Sequence, residues 1–422
     1  MKKLITVLAF AAISVATFYS CKKSGSEGHL SIPKLPEMPF NYSRFNFPAS
    51  FSPGNEGLKR NTGGLFDDMV EFKDSTGTGG GYGQIIVRRV KDPVSKPLID
   101  TSIQGDFKAT LGRVLFYDKN LSLTSTVACG SCHKQNLGFS DDVAFSNGFK
   151  NLVTARNSMP ISNVLLRFNE QGLFWDMREM DAEKMVLMPV SNHIEMGFTE
   201  IDKIVTRLNN IGYYPKMFKD AFGDETINKD RISQALAQFL NSMVSFNSKF
   251  DKGREIGFSN FNAQELAGKE LFFNTLNCGK CHEGSNAWGE TNRVANIGLD
   301  LKYADKGITT QTITTFSDFG MPQTKVVTNL EGLFKIPSLR NIALTAPYMH
   351  DGRFATLEQV IDHYDHGVKA HPDLDPKLKN TQGQPQRLNL TPDEKKQLIA
   401  FLNTMTDTQF INDPKFSDPF NQ

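Results

Sequence analysis

The chain has almost no excess charge of either sign. Its 47 basic and 46 acidic residues leave a formal net charge of +1, which removes the electrostatic case for nucleic acid. It also lacks an apolar run of the ~20 residues that a spanning helix needs; the stretch from Leu4 to Phe18 is shorter. Histidine is scarce, eight in 422 residues, and none lies between His133 and His193, so metal ligands are in short supply. Strand signals are few. Residues 22–100 carry no clear core pattern, and Ser75-Thr76-Gly77-Thr78-Gly79-Gly80-Gly81 reads as a flexible tract. What remains is enough chain for two cores of ordinary size. It is 39% apolar, with 33 phenylalanines that suit packing around large flat groups.

Four of the five cysteines stand in two copies of one pentad, Cys129-Gly130-Ser131-Cys132-His133 and Cys278-Gly279-Lys280-Cys281-His282. Two thiols separated by two residues can bond the two vinyl groups of one haem, and the adjacent histidine then falls beneath the iron as its axial ligand. A structural disulfide or half of a zinc site also uses CxxC. A disulfide needs no histidine, however, and a zinc ribbon leaves both histidines without a role. The doubled pentad reads as two covalently bound haem c groups, ligated by His133 and His282.

The fifth cysteine, Cys21, follows Lys2, Lys3 and the apolar run, where a bacterial lipoprotein is cut and lipidated. Residues 1–21 therefore read as a signal peptide ending in a lipidation cysteine. Phe18 and Tyr19 are bulkier than the usual pattern, and the alternative is a cysteine inside a discarded signal peptide. Export agrees with CxxCH haems, which are attached outside the cytoplasm. The expected place is the periplasm or cell envelope, with contact to membrane only through the lipid anchor. Residues 22–100 read as a tether and irregular arm.

Regular structure begins near Phe107. Leu111, Val114 and Leu115 fall at helical spacing, and Gly112 allows close approach of something bulky. Before the second pentad, Asn262 can cap a helix with Glu265 reciprocating. Gly268-Lys269-Glu270-Leu271-Phe272-Phe273 then echoes Gly112-Arg113-Val114-Leu115-Phe116-Tyr117. Weaker echoes pair Arg156-Asn157-Ser158 with Leu339-Arg340-Asn341, and Trp175-Asp176-Met177-Arg178 with His350-Asp351-Gly352-Arg353. These echoes indicate an old duplication. Between the copies, Ile232, Leu236, Phe239, Leu240 and Met243 make one apolar helix face. Near the end, Thr391 caps a helix with Pro392 in its first turn and Glu394 reciprocating; Leu398, Ile399, Leu402 and Met405 face inward. The expected fold is mainly α, two c-type cytochrome domains packed face to face with a poorly structured N-terminal arm. The N-terminal haem domain spans residues 101–252 and the C-terminal one 253–422.

These residues resemble the bacterial di-haem cytochrome c peroxidases and their relatives, which include the maturation enzyme of methylamine dehydrogenase. The resemblance covers about residues 95–410 and rests on specific motifs. They are Leu111-Gly112-Arg113-Val114-Leu115-Phe116-Tyr117-Asp118, Arg156-Asn157-Ser158, Phe174-Trp175-Asp176, Ile194-Glu195-Met196, Leu339-Arg340-Asn341 and Thr345-Ala346-Pro347-Tyr348-Met349-His350-Asp351-Gly352-Arg353.

The resemblance implies that the N-terminal haem reacts with hydrogen peroxide. The C-terminal haem accepts electrons from a small cytochrome c or an azurin-like cupredoxin. It implies Trp175 as the bridge between the haems; a packed core aromatic is the plain alternative. Glu195 matches the carboxylate of the peroxide pocket, and the chemistry agrees. Heterolytic O–O cleavage moves a proton from one oxygen to the other, so one acid–base group beside the iron suffices; the alternative is an exposed helix-end glutamate. The family also holds a calcium ion between the haems. Its ligands match the Asn157 side chain and the backbone carbonyls of Thr345 and Pro347, oxygen donors as calcium prefers. His350 matches a group bonding a haem propionate. Family members often dimerise.

Three departures from the family pattern matter. Where many members carry a histidine that blocks the peroxidatic iron, this chain has Asn147-Gly148-Phe149, so its first haem is expected to keep an open or water-filled sixth position without reductive activation. Where ordinary peroxidases place a methionine, after the helix capped by Thr356 and Gln359, this chain has Tyr364, as the methylamine dehydrogenase maturation enzyme does. A phenolate would lower the potential of the second haem; Met349 and His363 are the rival ligands, and a packed aromatic is the plain reading. Where the family usually has a glutamine, Met185 stands. His193, His366 and His371 read as surface or structural, and Trp288 as packing. Three activities are open to test: peroxide reduction, oxidation of a partner protein by long-range electron transfer, and plain electron carriage.

Overall fold

A computed structural model describes residues 31–43, 70–73, 84–87, 99–164, 172–282, 294–305, 307–308, 310–316 and 322–420. The chain divides into two units, Met1–Ile32 and Pro33–Gln422, and the described helices, strands and cores lie in the second. Cys21, the leader before it, the glycine tract at 75–81 and Trp288 lie outside the described residues.

The described residues are mainly helical. The helices that build the site are α1 Ile103–Tyr117, α2 Tyr214–Phe222, α3 Lys229–Ser242, α4 Lys249–Glu255, α5 Ala263–Glu270, α6 Leu357–Asp362 and α7 Pro392–Asn403. The strands are β1 Val70–Lys73, β2 Gln84–Val87, β3 Val294–Ala295, β4 Thr310–Phe316, β5 Pro322–Thr328 and β6 Phe334–Lys335. They pair as three antiparallel ribbons, β1 with β2, β3 with β6 and β4 with β5. The β4–β5 ribbon is longer than the sparse strand signals suggested. Its signal was present in Thr312, Ile313, Thr314, Thr315, Val326 and Val327, β-branched residues that suit a pleated surface.

Caps set the helix starts as the sequence predicts. Asn262 and Glu265, Thr356 and Gln359, and Thr391 and Glu394 each form reciprocal side-chain-to-backbone pairs at the starts of α5, α6 and α7. Each satisfies amides that a helix leaves unpaired at its first turn. Pro392 occupies the first turn of α7, where its missing N–H costs nothing.

Two cores form in the same way. In the first, Leu111, Val114, Leu115 and Phe116 of α1 pack on Ile232, Leu236, Phe239 and Leu240 of α3. In the second, Leu271 and Phe272, just past α5, pack on Leu398, Phe401 and Leu402 of α7. Each crossing turns on a glycine. A Cβ at Gly112 would lie 2.0 Å from the Ala235 carbonyl oxygen, and one at Gly268 would lie 1.9 Å from that of Gln397. The bulky neighbour is thus the backbone of the opposing helix, and only glycine lets the two axes approach so closely.

Core membership changes between Met243 and Phe250, and the joint is a buried polar hub. Asn163 grips the backbone of Ser245, accepting from its N–H at 2.8 Å and donating to its carbonyl at 3.3 Å. Arg340 forms a two-pronged pair with Asp251, 2.8 Å for each prong, and reaches the Ser245 carbonyl. Asn341 donates to Ser245 Oγ and accepts from Asp407 N, while Asp407 Oδ2 accepts from Ser245 Oγ and Asn247 N. The interlocking hydrogen bonds offset much of the cost of burying these groups and favour one geometry.

The first core is finished by distant chain. Phe410 and Phe416 lie in it, and so does Tyr42, which is 0% exposed. Arg113 of α1 is also fully buried; its Nε donates to the Ser417 carbonyl at 2.6 Å and its guanidinium faces the Phe40 ring. The Lys34 N–H donates to the Pro419 carbonyl at 2.8 Å. Part of the segment read as an irregular arm, residues 33–43, therefore closes this core.

Candidate functional site

The first pentad lies just beyond α1 on a single helical turn, Cys129–Cys132. The ring of Tyr117 packs against it so closely that a Cβ at Gly130 would lie 2.5 Å from Tyr117 Cδ1. His133 Nδ1 lies 2.9 Å from the Phe139 carbonyl oxygen. A carbonyl can only accept, so Nδ1 carries the hydrogen and Nε2 is left as a lone-pair donor. That is the tautomer a metal ligand needs. Burial lowers the pKa of His133 and keeps it neutral.

This histidine opens into a cavity of about 760 Å³ lined by Cys129, Cys132, His133, Trp175, Glu195 and Arg340, among others. The volume falls within the range of a small-molecule cofactor pocket. Neither cysteine pair is bridged as a disulfide. Among the described residues, the group of three or more His, Cys, Asp or Glu side chains whose ligand atoms converge is Asp362, Asp365 and His366, which includes neither pentad. A zinc site built from the pentads is therefore disfavoured, and the thiol pair, oriented imidazole and cavity suit a haem.

Glu195 lines the same cavity. Its turn is organised by Asn192, whose Oδ1 accepts from the Ile194 and Glu195 N–H groups while its amide donates to Glu195 Oε1 at 3.1 Å. Asn192 was missed in the sequence, although an asparagine followed three residues later by a carboxylate is a turn signal. Burial raises the Glu195 pKa, against a lowering pull from Arg178. The segment Asn147-Gly148-Phe149 folds directly onto this turn. The Phe149 N–H donates to the carbonyls of Ile194 and Glu195, and a Cβ at Gly148 would lie 2.1 Å from the Ile194 oxygen. No side chain, histidine included, fits at Gly148. Met185 is buried and lines the cavity; His193 is exposed.

The echoing motifs Trp175-Asp176-Met177-Arg178 and His350-Asp351-Gly352-Arg353 lie in the same kind of turn. Leu173 pairs with Glu179, and Tyr348 with Phe354. Within each turn two residues take left-handed backbone, Phe174 and Met177 in one, Met349 and Gly352 in the other. Trp175 thus stands where the second copy has His350. Trp175 Nε1 donates to the Asn157 carbonyl at 2.9 Å, and the Trp175 carbonyl accepts from Lys335 N at 2.8 Å. Asp176 pairs with Arg156 at 2.7 Å, and Arg156 also pairs with Asp305. The indole is held by both halves of the chain. His350 is buried, stacked on Phe334 with ring centroids 3.8 Å apart.

At the second pentad, α5 continues as a π-helical turn, Leu271–Thr275, into Cys278. His282 Nδ1 lies 3.1 Å from the Pro337 carbonyl, and burial depresses its pKa to about 4, so it too is neutral with Nε2 available. Pro337 also lines the first cavity, which joins the two sites through one residue. A second π-helical turn, His363–Gly367, carries Tyr364; wide turns of this kind recur at functional sites. Burial raises the Tyr364 pKa, and electrostatic coupling to Cys281 and Cys278 adds to the shift. His363 turns its Nε2 to the Ile297 carbonyl at 2.9 Å. Met349 packs instead beside Trp175 on the cluster of Leu299, Tyr303 and Phe334. His366 is exposed and bonds Asp365, while His371 is buried and bonds Asn296.

Asn157 turns its amide nitrogen to the Val143 and Ala144 carbonyls, at 3.1 and 3.4 Å, which leaves the side-chain oxygen as an acceptor. Its backbone N–H donates to the His350 carbonyl at 2.7 Å, next to the segment of Thr345 and Pro347.

Two neutral imidazoles, each oriented by a carbonyl and each following an unbridged CxxC, define a c-type cytochrome with two haem sites. A sequence profile of the di-haem cytochrome c peroxidases matches residues 106–255. The chain is 31% identical to the methylamine utilization protein MauG of Methylorubrum extorquens over 318 residues, 75% of this chain and 83% of that one. It is 30% identical to the cytochrome c551 peroxidase of Nitrosomonas europaea over 76% of this chain and 86% of that one. The chain belongs to the di-haem cytochrome c peroxidase family, and is an oxidoreductase that carries two haem c groups. Among solved structures it is similar to a MauG-like protein associated with microbial copper homeostasis, with a TM-score of 0.62, 32% identity, and coverage of 78% of this chain and 98% of that one. The di-haem peroxidase BthA of Burkholderia thailandensis, at 20% identity and a TM-score of 0.56, shares the fold.

Proposed function

We propose that this protein reduces hydrogen peroxide to water, with electrons from a small periplasmic cytochrome c or cupredoxin. The observation that carries the reading is a half-buried carboxylate, Glu195, in the same cavity as the oriented His133. Haem iron would supply the site at which peroxide coordinates and is reduced. Glu195 would take the proton from the oxygen that binds and deliver it to the oxygen that leaves as water, and burial suits it to that shuttle by raising its pKa. The net reaction consumes two electrons and two protons per peroxide.

The relay from the second site is supported by the way Trp175 is fastened. Its carbonyl is tied to Lys335, two residues before the Pro337 carbonyl that orients His282. The expected division into haem domains at 101–252 and 253–422 falls within α4, whose Phe250 packs in the second core, while Phe410 and Phe416 pack in the first. A calcium ion held by the Asn157 side-chain oxygen and the Thr345 and Pro347 carbonyls would brace the same region, and His350 would bond a haem propionate. Export and a lipid anchor at Cys21 rest on the leader sequence; no helix among the described residues is long and apolar enough to cross a membrane.

A second reading, oxidation of a partner protein, is favoured by Tyr364, carried on a π-helical turn and electrostatically coupled to the second thiol pair. Ferric iron would displace the phenolic proton and reverse the effect of burial. Steady-state turnover with peroxide and a reduced small cytochrome or azurin-like donor separates the two. Fast turnover carries the first reading, and peroxide consumption only with a particular partner protein carries the second. Electron paramagnetic resonance of the oxidised protein is expected to include a high-spin component from the open first site; two low-spin signals alone would remove the open position.

A further inference from the structure

At the end of α1, next to Tyr117, the carboxylate of Asp118 is only 4% exposed. Two phenols converge on one of its oxygens. Tyr214 donates to Asp118 Oδ2 at 2.6 Å and Tyr213 at 3.1 Å. The other oxygen accepts from the Asn120 N–H and side-chain amide at 2.8 Å. Tyr214 is 0% exposed, its ring centroid lies 4.7 Å from that of Tyr213, and Tyr213 is half-buried and reaches the surface. Tyr117, covalently next to Asp118, presses its ring on the first haem-attachment turn. Neither peroxide cleavage nor the transfer through Trp175 uses any of these groups.

The hydrogen-bond partners of the tyrosines differ in a way that matters for redox chemistry. A phenol gives up an electron readily only when its proton has somewhere to go. Tyr117 donates to the Phe416 carbonyl at 2.7 Å, and a carbonyl does not take the proton. Tyr214 and Tyr213 donate to a carboxylate, which does.

We propose that Tyr117, Tyr214 and Tyr213, with Asp118 as proton acceptor, form a second exit for oxidising equivalents from the first haem site, ending at the surface on Tyr213. The inference rests on the peroxidase reading, because peroxide is the oxidant. In one step the oxidised first site gains one electron by way of Tyr117, while Tyr214 loses that electron and passes its phenolic proton to Asp118 Oδ2. Tyr213 then supplies an electron to the Tyr214 radical, which takes its proton back from Asp118, and Asp118 accepts the Tyr213 proton in turn. A small phenolic donor at the surface then gives Tyr213 one electron and releases its own proton to solvent, while Tyr213 takes its proton back from Asp118, which is again ionised and able to accept. The relay gives the enzyme a one-electron oxidation of small phenols that bypasses the second haem.

The test adds one equivalent of hydrogen peroxide to the fully oxidised holoprotein, without a donor protein, and freezes it for electron paramagnetic resonance. A tyrosyl signal that narrows with ring-deuterated tyrosine is expected. Tyr214→Phe and Asp118→Asn should each abolish it. The asparagine can keep an oxygen for both phenols but cannot hold the proton. Its amide nitrogen then meets the Asn120 donors, so the loss of signal counts for the relay only where the haem absorption and unfolding midpoint of the variant match those of the unaltered protein. Tyr213→Phe, at a half-exposed position, should keep a buried radical and lose guaiacol oxidation; it decides the matter if Tyr214→Phe does not fold. A signal that survives Tyr214→Phe and Asp118→Asn overturns the relay, as does a changed haem absorption band with no tyrosyl signal in the unaltered protein. A haem band that peroxide leaves unchanged counts against the peroxidase reading itself and takes the relay with it.

Discussion

In the first half of the chain, α1 crosses α3 at Gly112 and leads to a pentad whose histidine opens into a large cavity. In the second half, α5 crosses α7 at Gly268 and leads to a pentad whose thiols are electrostatically coupled to Tyr364. The turn at Leu173 and the turn at Tyr348 have the same backbone, yet one presents Trp175 and the other His350. What the halves keep in common is the crossing and the turn. What separates them is the set of side chains that the crossing does not constrain. Glu195 and His133 belong to the first half, and the cavity they line reaches Pro337 and Arg340 of the second. The π-helical turns that lead into Cys278 and carry Tyr364 lie, among the described residues, in the second half.

The largest expected effect tests that division of labour. Glu195→Gln should lower peroxide turnover ~10²–10⁴-fold and leave the potential of the second haem where it was. Equal damage to both haem spectra would mean that the halves are not chemically separate. The pH profile follows from the raised Glu195 pKa. The ionised form takes the first proton, so turnover should fall as the pH drops through a value above that of an ordinary glutamate, and that limb should vanish in the glutamine variant.

Next comes the joint. Asp251→Ala removes one partner of a buried pair, with side chains 3% and 0% exposed. It should cost about 3–5 kcal/mol in denaturant unfolding of the holoprotein. Two separate transitions in place of one would show that the hub is what makes the halves cooperative. A matched pair of substitutions then compares the crossings. Gly112→Ala and Gly268→Ala each drive a methyl into a backbone carbonyl and should each destabilise by ~1–3 kcal/mol; a large inequality would break the parallel between the halves. The smallest effect belongs to a cap. Thr391→Ala should cost ~1 kcal/mol, seen as earlier hydrogen exchange at the start of α7 and not of α3.

What could be read directly from the sequence was local. A pentad fits within five consecutive positions, a capping box within four, and a crossing glycine announces itself by standing inside an apolar helical pattern. The site was legible to the same extent. His133, His282 and the cysteines come from the pentads alone, whereas roles for Glu195, Trp175 and Tyr364 came from resemblance. The hub was not legible, because Asn163, Ser245, Asp251, Arg340 and Asp407 meet only after folding and carry no spacing. The contribution of residues 33–43 to the first core was hidden by a polar, proline-containing neighbourhood. Asn192 and the β4–β5 ribbon did leave local signals, but weak ones beside the helical pattern around them.

Because Phe410 and Phe416 sit among the α1 and α3 side chains, the earlier half of the polypeptide cannot seal its interior while synthesis is under way. It must stay ajar until the late-made residues return to it.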